Sequence, residues 1–132
     1  MPIYNEAPQR IFAGLQAMYE SLDAIGALEH FELFILSDTT DPEVWLEEEA
    51  GFGELRRRTG GEARIFYRHR PKNIRRKAGN IADFCERWGT RYEHMIVLDA
   101  DSLMTAEALV QLVAAMEASP EAGIIQTLPL VV

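Results

Sequence analysis

The stretch His94-Met95-Ile96-Val97-Leu98-Asp99-Ala100-Asp101 reads as a buried strand that ends on two carboxylates. Four apolar residues in a row after His94 leave no polar face, which is the pattern of a strand covered on both sides in a parallel sheet. Working outward, Thr105–Ala118 is an amphipathic helix with Leu109, Leu112, Val113 and Met116 inward, stopped by Ser119-Pro120. Gly123–Gln126 (GIIQ) then begins a further strand. Upstream, a helix from about Lys77 to Trp88 ends near Gly89 and follows the basic loop Arg68–Arg76. Ala63–Tyr67 and Phe31–Leu36 read as strands. Between them Pro42 opens an acidic helix carrying Val44, Trp45 and Leu46, which the Gly51 and Gly53 pair is expected to break. Ala7–Ile25 is a helix whose stripe is Ile11, Leu15, Met18, Leu22 and Ile25, and Met1–Tyr4 resembles the tail of a strand. Strands alternating with helices over short links imply right-handed crossovers and an α/β fold, a doubly wound, mostly parallel sheet flanked by helices.

Composition limits what such a fold can be. A chain of 132 residues, 48% hydrophobic, suits one domain. One cysteine excludes an internal disulfide, and no apolar run approaches the roughly 20 residues of a membrane span. These features predict a soluble globular chain from a reducing compartment. Both ends read as cut: Met1-Pro2-Ile3-Tyr4 lacks the start of its strand, and Leu128-Pro129-Leu130-Val131-Val132 stops in apolar residues, so the chain is expected to be a piece of a longer protein. The net charge of −8 is unevenly spread. Ten of the thirteen Lys and Arg residues fall between Arg56 and Lys77 with one acid, Glu62, a net of +9; the remainder carries −17. An acidic body with one basic segment argues against a nucleic-acid surface; it is compatible with a local anion site, which a phosphate-bearing small molecule fits better than a polymer, and equally with a solvated basic loop.

Ligands of open parallel sheets bind beyond the carboxyl ends of the strands. Four polar clusters map there: Tyr4-Asn5-Glu6, Ser37-Asp38, the Arg68–Lys77 loop and Asp99-Ala100-Asp101. In an extended segment Asp99 and Asp101 point the same way, and paired carboxylates suit a hard divalent cation, Mg²⁺ or Mn²⁺. The competing reading makes them turn formers and a cap for the following helix. No Gly-rich phosphate cradle is present, so if a phosphate binds, a metal and basic side chains must hold it, with Lys77 at a helix start the leading contact; the competing reading makes it a surface lysine. Tyr4 offers an aromatic face for a base, or packs. Cys85, Trp45 and Trp88 are expected in the core, and His30, His69 and His94 lack metal-ligand spacing.

Taken together, Met1–Glu6, Ser37-Asp38, Arg76-Lys77-Ala78-Gly79-Asn80 and Val97–Asp101 resemble the processive family 2 inverting glycosyltransferases, the group of cellulose and hyaluronan synthases. The resemblance covers the whole chain and implies a GT-A (Rossmann-like) fold and the donor-binding part of a UDP-glucose-dependent enzyme. It implies that Tyr4, Asn5 and Glu6 line the uridine pocket, that Asp38 accepts a hydrogen bond from uracil, and that Lys77 contacts the diphosphate. Asp99 would lie by the nucleotide, and Asp101 would hold the divalent metal. The acceptor would be a growing glucan chain, and the parent protein a bacterial inner-membrane enzyme with this domain in the cytoplasm. The general base of that family, an Asp in a TED-like motif, and its QxxRW-like motif have no counterpart here: after Asp101 the acids are Glu107, Glu117 and Glu121, on or beside a helix. No residue of this chain is therefore assigned as catalytic. Two other readings compete: a non-catalytic nucleotide-sugar sensor using the same pocket, and a nucleotidyltransferase, which would need a Gly-rich basic loop where Asn5-Glu6-Ala7-Pro8 stands.

Overall fold

A computed structural model describes residues 1–102 and 104–126. Three parallel strands, β1 (Pro2–Ile3), β2 (Leu33–Ser37) and β3 (Ile65–His69), form a sheet in the order β1-β2-β3. The crossovers are α1 (Pro8–Ala24) and α2 (Pro42–Thr59); α3 (Arg76–Trp88) and α4 (Ala106–Ala118) follow. Short 3₁₀ turns close Leu28–His30 and Gly89–Arg91. No described helix is long and apolar enough to cross a membrane.

Strand alternation sorts the two faces. Ile3, Ile35 and Ile65 point to one side, where Ile11, Phe12, Leu15, Met18 and Tyr19 of α1 and Leu55 of α2 complete the main core. Phe34 points to the other side, against Phe84 and Trp88 of α3. Helices therefore cover both faces, as the alternating pattern requires. The stripe of α1 matches expectation except at its end. Ile25 is 46% exposed, because the helix has already stopped at Ala24.

α2 runs unbroken through Gly51 and Gly53. Gly51 lies against the ring of Phe12, where a Cβ would sit 2.5 Å from a ring carbon. The glycine is thus a contact point between α1 and α2 rather than a break. Gly51→Ala is expected to cost about 1–3 kcal/mol by overpacking, read from denaturant midpoints; Gly53→Ala, which meets nothing, should be neutral or stabilising.

The fourth strand expected at His94–Leu98 is not hydrogen-bonded into the sheet. The segment is extended in character, alternating half-buried and exposed from Tyr92 to Ala100, and Leu98 and Ala100 pack on the main core. What fails is the partner. The carbonyls of Met1 and Ile3 accept from Leu36 and Asp38 of the β2 side, so residues 2 and 4 face outward. Pro2 has no N–H, and the Tyr4 N–H donates to the Glu6 carboxylate, so the outer edge of β1 keeps carbonyl acceptors but no free donor. A cavity of about 650 Å³, lined by Phe34, Leu36, Phe84, Ile96, Leu98 and Leu109 among others, occupies the gap. The GIIQ strand is likewise not formed over Gly123–Gln126, where Ile124 is 83% exposed; its continuation lies outside the described residues.

Three core assignments are corrected. Cys85 is exposed, since the apolar phase of α3 runs through Phe84 and Trp88 and turns the neighbouring position outward. Trp45 is 38% exposed and stacks on His69 of β3, ring centroids 3.9 Å apart. In α4 only Ala106 and Leu109 are buried; Leu112, Val113 and Met116 are half-buried.

Candidate functional site

Each strand releases its chain at the same edge of the sheet, and a polar network joins the loops that emerge. After β1, Asn5 takes a left-handed conformation (φ 52°), which asparagine tolerates. Its side-chain carbonyl accepts from the backbone N–H groups of Thr40 and Asp41, each at 3.1 Å, its amide donates to the Thr40 hydroxyl, and its backbone N–H donates to the Thr39 hydroxyl at 3.0 Å. The first loop is thereby locked onto the second. Tyr4 stands exposed beside Thr40, and the Glu6 carboxylate is held by the Tyr4 N–H.

Asp38, directly after β2, is 2% exposed. Arg70, directly after β3, grips it with two donors, Nε to Oδ1 at 2.8 Å and Nη2 to Oδ2 at 2.6 Å. Arg68 approaches the same carboxylate at 3.7 Å and Asp83 of α3 at 3.6 Å, with its side chain 9% exposed. Burial lowers the Arg68 pKa and the two carboxylates oppose that; for Arg70 the Asp38 hydrogen bonds raise it. Arg68 also bonds the Asn80 side chain, whose amide donates to the Leu36 carbonyl at 2.9 Å, so α3 is tied to the sheet through a buried Asn and a buried Arg.

The basic loop turns into α3 through two consecutive left-handed residues, Arg75 (φ 60°) and Arg76 (φ 51°). Side chains with a Cβ avoid this region at a cost of about 1–2 kcal/mol each, and such outliers concentrate at functional sites. Arg70 braces the turn by donating to the Arg76 carbonyl at 3.2 Å. The next residue, Lys77, is half-exposed and ion-paired with Asp99. A continuous path of contacts therefore runs from Asp38 through Arg70 and the Arg76 carbonyl to Lys77 and Asp99.

Asp101 stands apart. The Ser102 N–H donates to the Asp99 carbonyl at 3.0 Å, so residues 99–102 close a turn and the same-side geometry of an extended segment does not apply. Asp101 is exposed, lines a shallow hollow with Met1, Arg10 and Ala100, and makes no ion pair among the described residues. The helix-cap reading also fails, because Thr105 caps α4 by accepting from the Ala108 N–H. Exposed carboxylates are of the chemistry a hard cation takes together with water and phosphate oxygens; Asp99 would first have to leave Lys77. Elsewhere Glu93, His94 and Glu117 cluster around an exposed His94–Glu117 pair.

One buried group escaped the sequence. Glu48 of α2 is fully buried, and its carboxylate accepts from Ser37 Oγ at 2.5 Å, from Tyr67 Oη at 2.9 Å and from the Thr39 hydroxyl. Burial, first of all, raises the Tyr67 pKa, and the hydrogen bond to Glu48 adds to it. The signal was there: Val44, Glu48 and Leu55 share the inward phase of α2, so an acid stands in an apolar stripe.

Carboxylates, a lysine and a strained basic loop thus gather at the carboxyl ends of a parallel α/β sheet. The chain matches the model of glycosyl transferase family 2 over residues 1–131 and belongs to that family; the sheet and its flanking helices agree with a GT-A fold. It is 54% identical over 98% of its length to the glucans biosynthesis glucosyltransferase H of Pectobacterium carotovorum subsp. carotovorum (strain PC1), of which it covers 15%. It is 55% identical over its whole length to the protein of the same name from Bradyrhizobium diazoefficiens, of which it covers 18%. The chain thus spans less than a fifth of the length of these curated relatives. No solved structure matches it.

Proposed function

We propose that this chain is the donor-binding part of a GT-A glucosyltransferase domain that takes UDP-glucose and serves the extension of a β-glucan chain on the cytoplasmic side of a membrane. The observation that carries the reading is the path from Asn5 and Asp38 through Arg70 to Lys77 and Asp99 along one sheet edge. In it, Tyr4, Asn5 and Glu6 line the uridine side. Asp38 accepts from the uracil N–H; a carboxylate has about four acceptor positions, and Arg70 shares or shifts from its own two as the base enters. Lys77 exchanges Asp99 for a diphosphate oxygen, and the basic loop offsets charge that builds on the departing UDP. A divalent cation held by Asp101 and Asp99 would supply further neutralisation of the diphosphate. Acid–base chemistry on the acceptor is assigned to no residue of this chain.

Calorimetric titration with UDP-glucose, with and without Mn²⁺, tests this. Binding that requires the metal and weakens at least tenfold, about 1.4 kcal/mol, in Asp101→Ala is expected. Binding indifferent to both changes overturns the metal assignment, and absence of binding in every condition overturns the nucleotide reading.

A further inference from the structure

Building on the donor-site reading above, we propose that Glu48 is a positioning residue for nucleotide recognition, acting on Asp38 from beneath through a three-hydroxyl clamp. Ser37 and Thr39 flank Asp38 and both donate to the one Glu48 carboxylate, while Tyr67 from β3 donates to it from the side. All four groups are inside the protein or half-buried, and Glu48, Ser37 and Thr39 are each at most 2% exposed. A hydroxyl donor at each of three positions is the environment a carboxylate needs and an apolar side chain would leave unsatisfied.

The clamp reaches further than Asp38. Thr39 Oγ1, while donating to Glu48, accepts from the Asn5 backbone N–H, so the loop after β1 hangs on the same group. The Thr39 carbonyl meets Nε2 of His69 at 2.8 Å, and Trp45, three residues before Glu48 on α2, stacks on that ring. Glu48 thereby fixes the height of the 37–41 turn relative to both β3 and the first loop. It touches no ligand in this reading; its effect passes through the two residues on either side of Asp38.

The test is titration with UDP of the wild type, Glu48→Gln, Glu48→Ala, Asp38→Asn and the double variant Glu48→Gln/Asp38→Asn, each checked for a cooperative melt. Gln keeps the volume but must aim an N–H₂ at one of the three hydroxyls, so it remains informative where Ala does not fold. Glu48→Gln is expected to weaken UDP binding roughly five- to tenfold. In a Trp88→Phe background it should also shift the emission of Trp45, as the Thr39 carbonyl moves against His69. Its loss should shrink when Asp38 is already Asn, since two changes acting through one carboxylate do not add. A folded Glu48→Gln that binds UDP like the wild type, or losses that simply multiply, overturns the proposal alone. A wild type that does not bind UDP overturns the donor reading and this proposal with it.

Discussion

Asp38→Ala is expected to melt far below the wild type, by a loss of about 3–5 kcal/mol, and to lose measurable UDP binding. The stability loss comes from what the substitution leaves behind. Arg70 and Arg68 converge on this carboxylate with side chains 13% and 9% exposed. Removing one partner of a buried ion pair strands the other charge, and that costs more than the pair was worth. Arg68 keeps Asp83 at 3.6 Å, but two of its nitrogens already lack a hydrogen-bond partner, so it has no reserve. Asp38→Asn keeps the shape and one acceptor and should fall between. Joint removal in Asp38→Ala/Arg70→Met should recover part of the stability without recovering binding. Urea unfolding of the four proteins measures the stability loss and its recovery, and UDP titration of the same set measures binding. An Asp38→Ala chain within about 1 kcal/mol of the wild type, the value of a surface pair, would show that the arginines reach water instead.

The same pairing marks the limit of sequence reading at this site. Asp38 and the basic loop both stand out in the sequence, because polar residues after apolar strands are visible locally. The choice of Arg70 among ten basic residues between Arg56 and Lys77 is not, since it depends on β2 and β3 lying in register, with Ser37 opposite His69. For Glu48 the sequence shows an acid in the inward phase of α2 but not the partners that allow it there. Burial of a carboxylate is decided by three hydroxyls that lie 11, 9 and 19 residues away in sequence.

For the fold, the elements whose periodicity stands alone were legible: α1, β2, β3, α3 and α4 each lie within a few residues of their expected limits. The segment His94–Leu98 was misjudged because composition shows whether a segment can be a strand, and pairing depends on the edge it meets. Pro2 and the Tyr4–Glu6 bond leave that edge without a free N–H donor. Helix phase was the other weakness. Cys85 sits one position from buried Phe84 and Trp45 one from half-buried Val44, about 100° round the helix, which is enough to turn a side chain from the core to the surface.

Gly79→Ala is expected to be the second most damaging single change, and the one that separates the basic loop from the rest of the site. A Cβ on residue 79 would stand 2.0 Å from the Ile74 carbonyl oxygen and 2.6 Å from Cβ of Arg75. The first of these is backbone, so no rotamer change relieves it. Either α3 moves off the sheet, breaking the Asn80 amide bond to the Leu36 carbonyl, or the Arg75–Arg76 turn leaves its left-handed conformation. The second route is the less costly, because those two residues are already strained by about 1–2 kcal/mol each. The turn then releases the Arg76 carbonyl from Arg70 and carries Lys77 away from Asp99. A stability loss of about 1–3 kcal/mol, typical of overpacking, is expected, together with a loss of UDP affinity larger than that of Lys77→Ala, since the whole loop moves rather than one side chain. Arg75→Gly provides the control: it frees the turn without adding an atom at residue 79, and should melt at or above the wild type. Binding in Gly79→Ala equal to that of Lys77→Ala or better would show that the loop contributes only through its lysine. A wild-type melting curve would show that the Ile74 carbonyl yields at little cost.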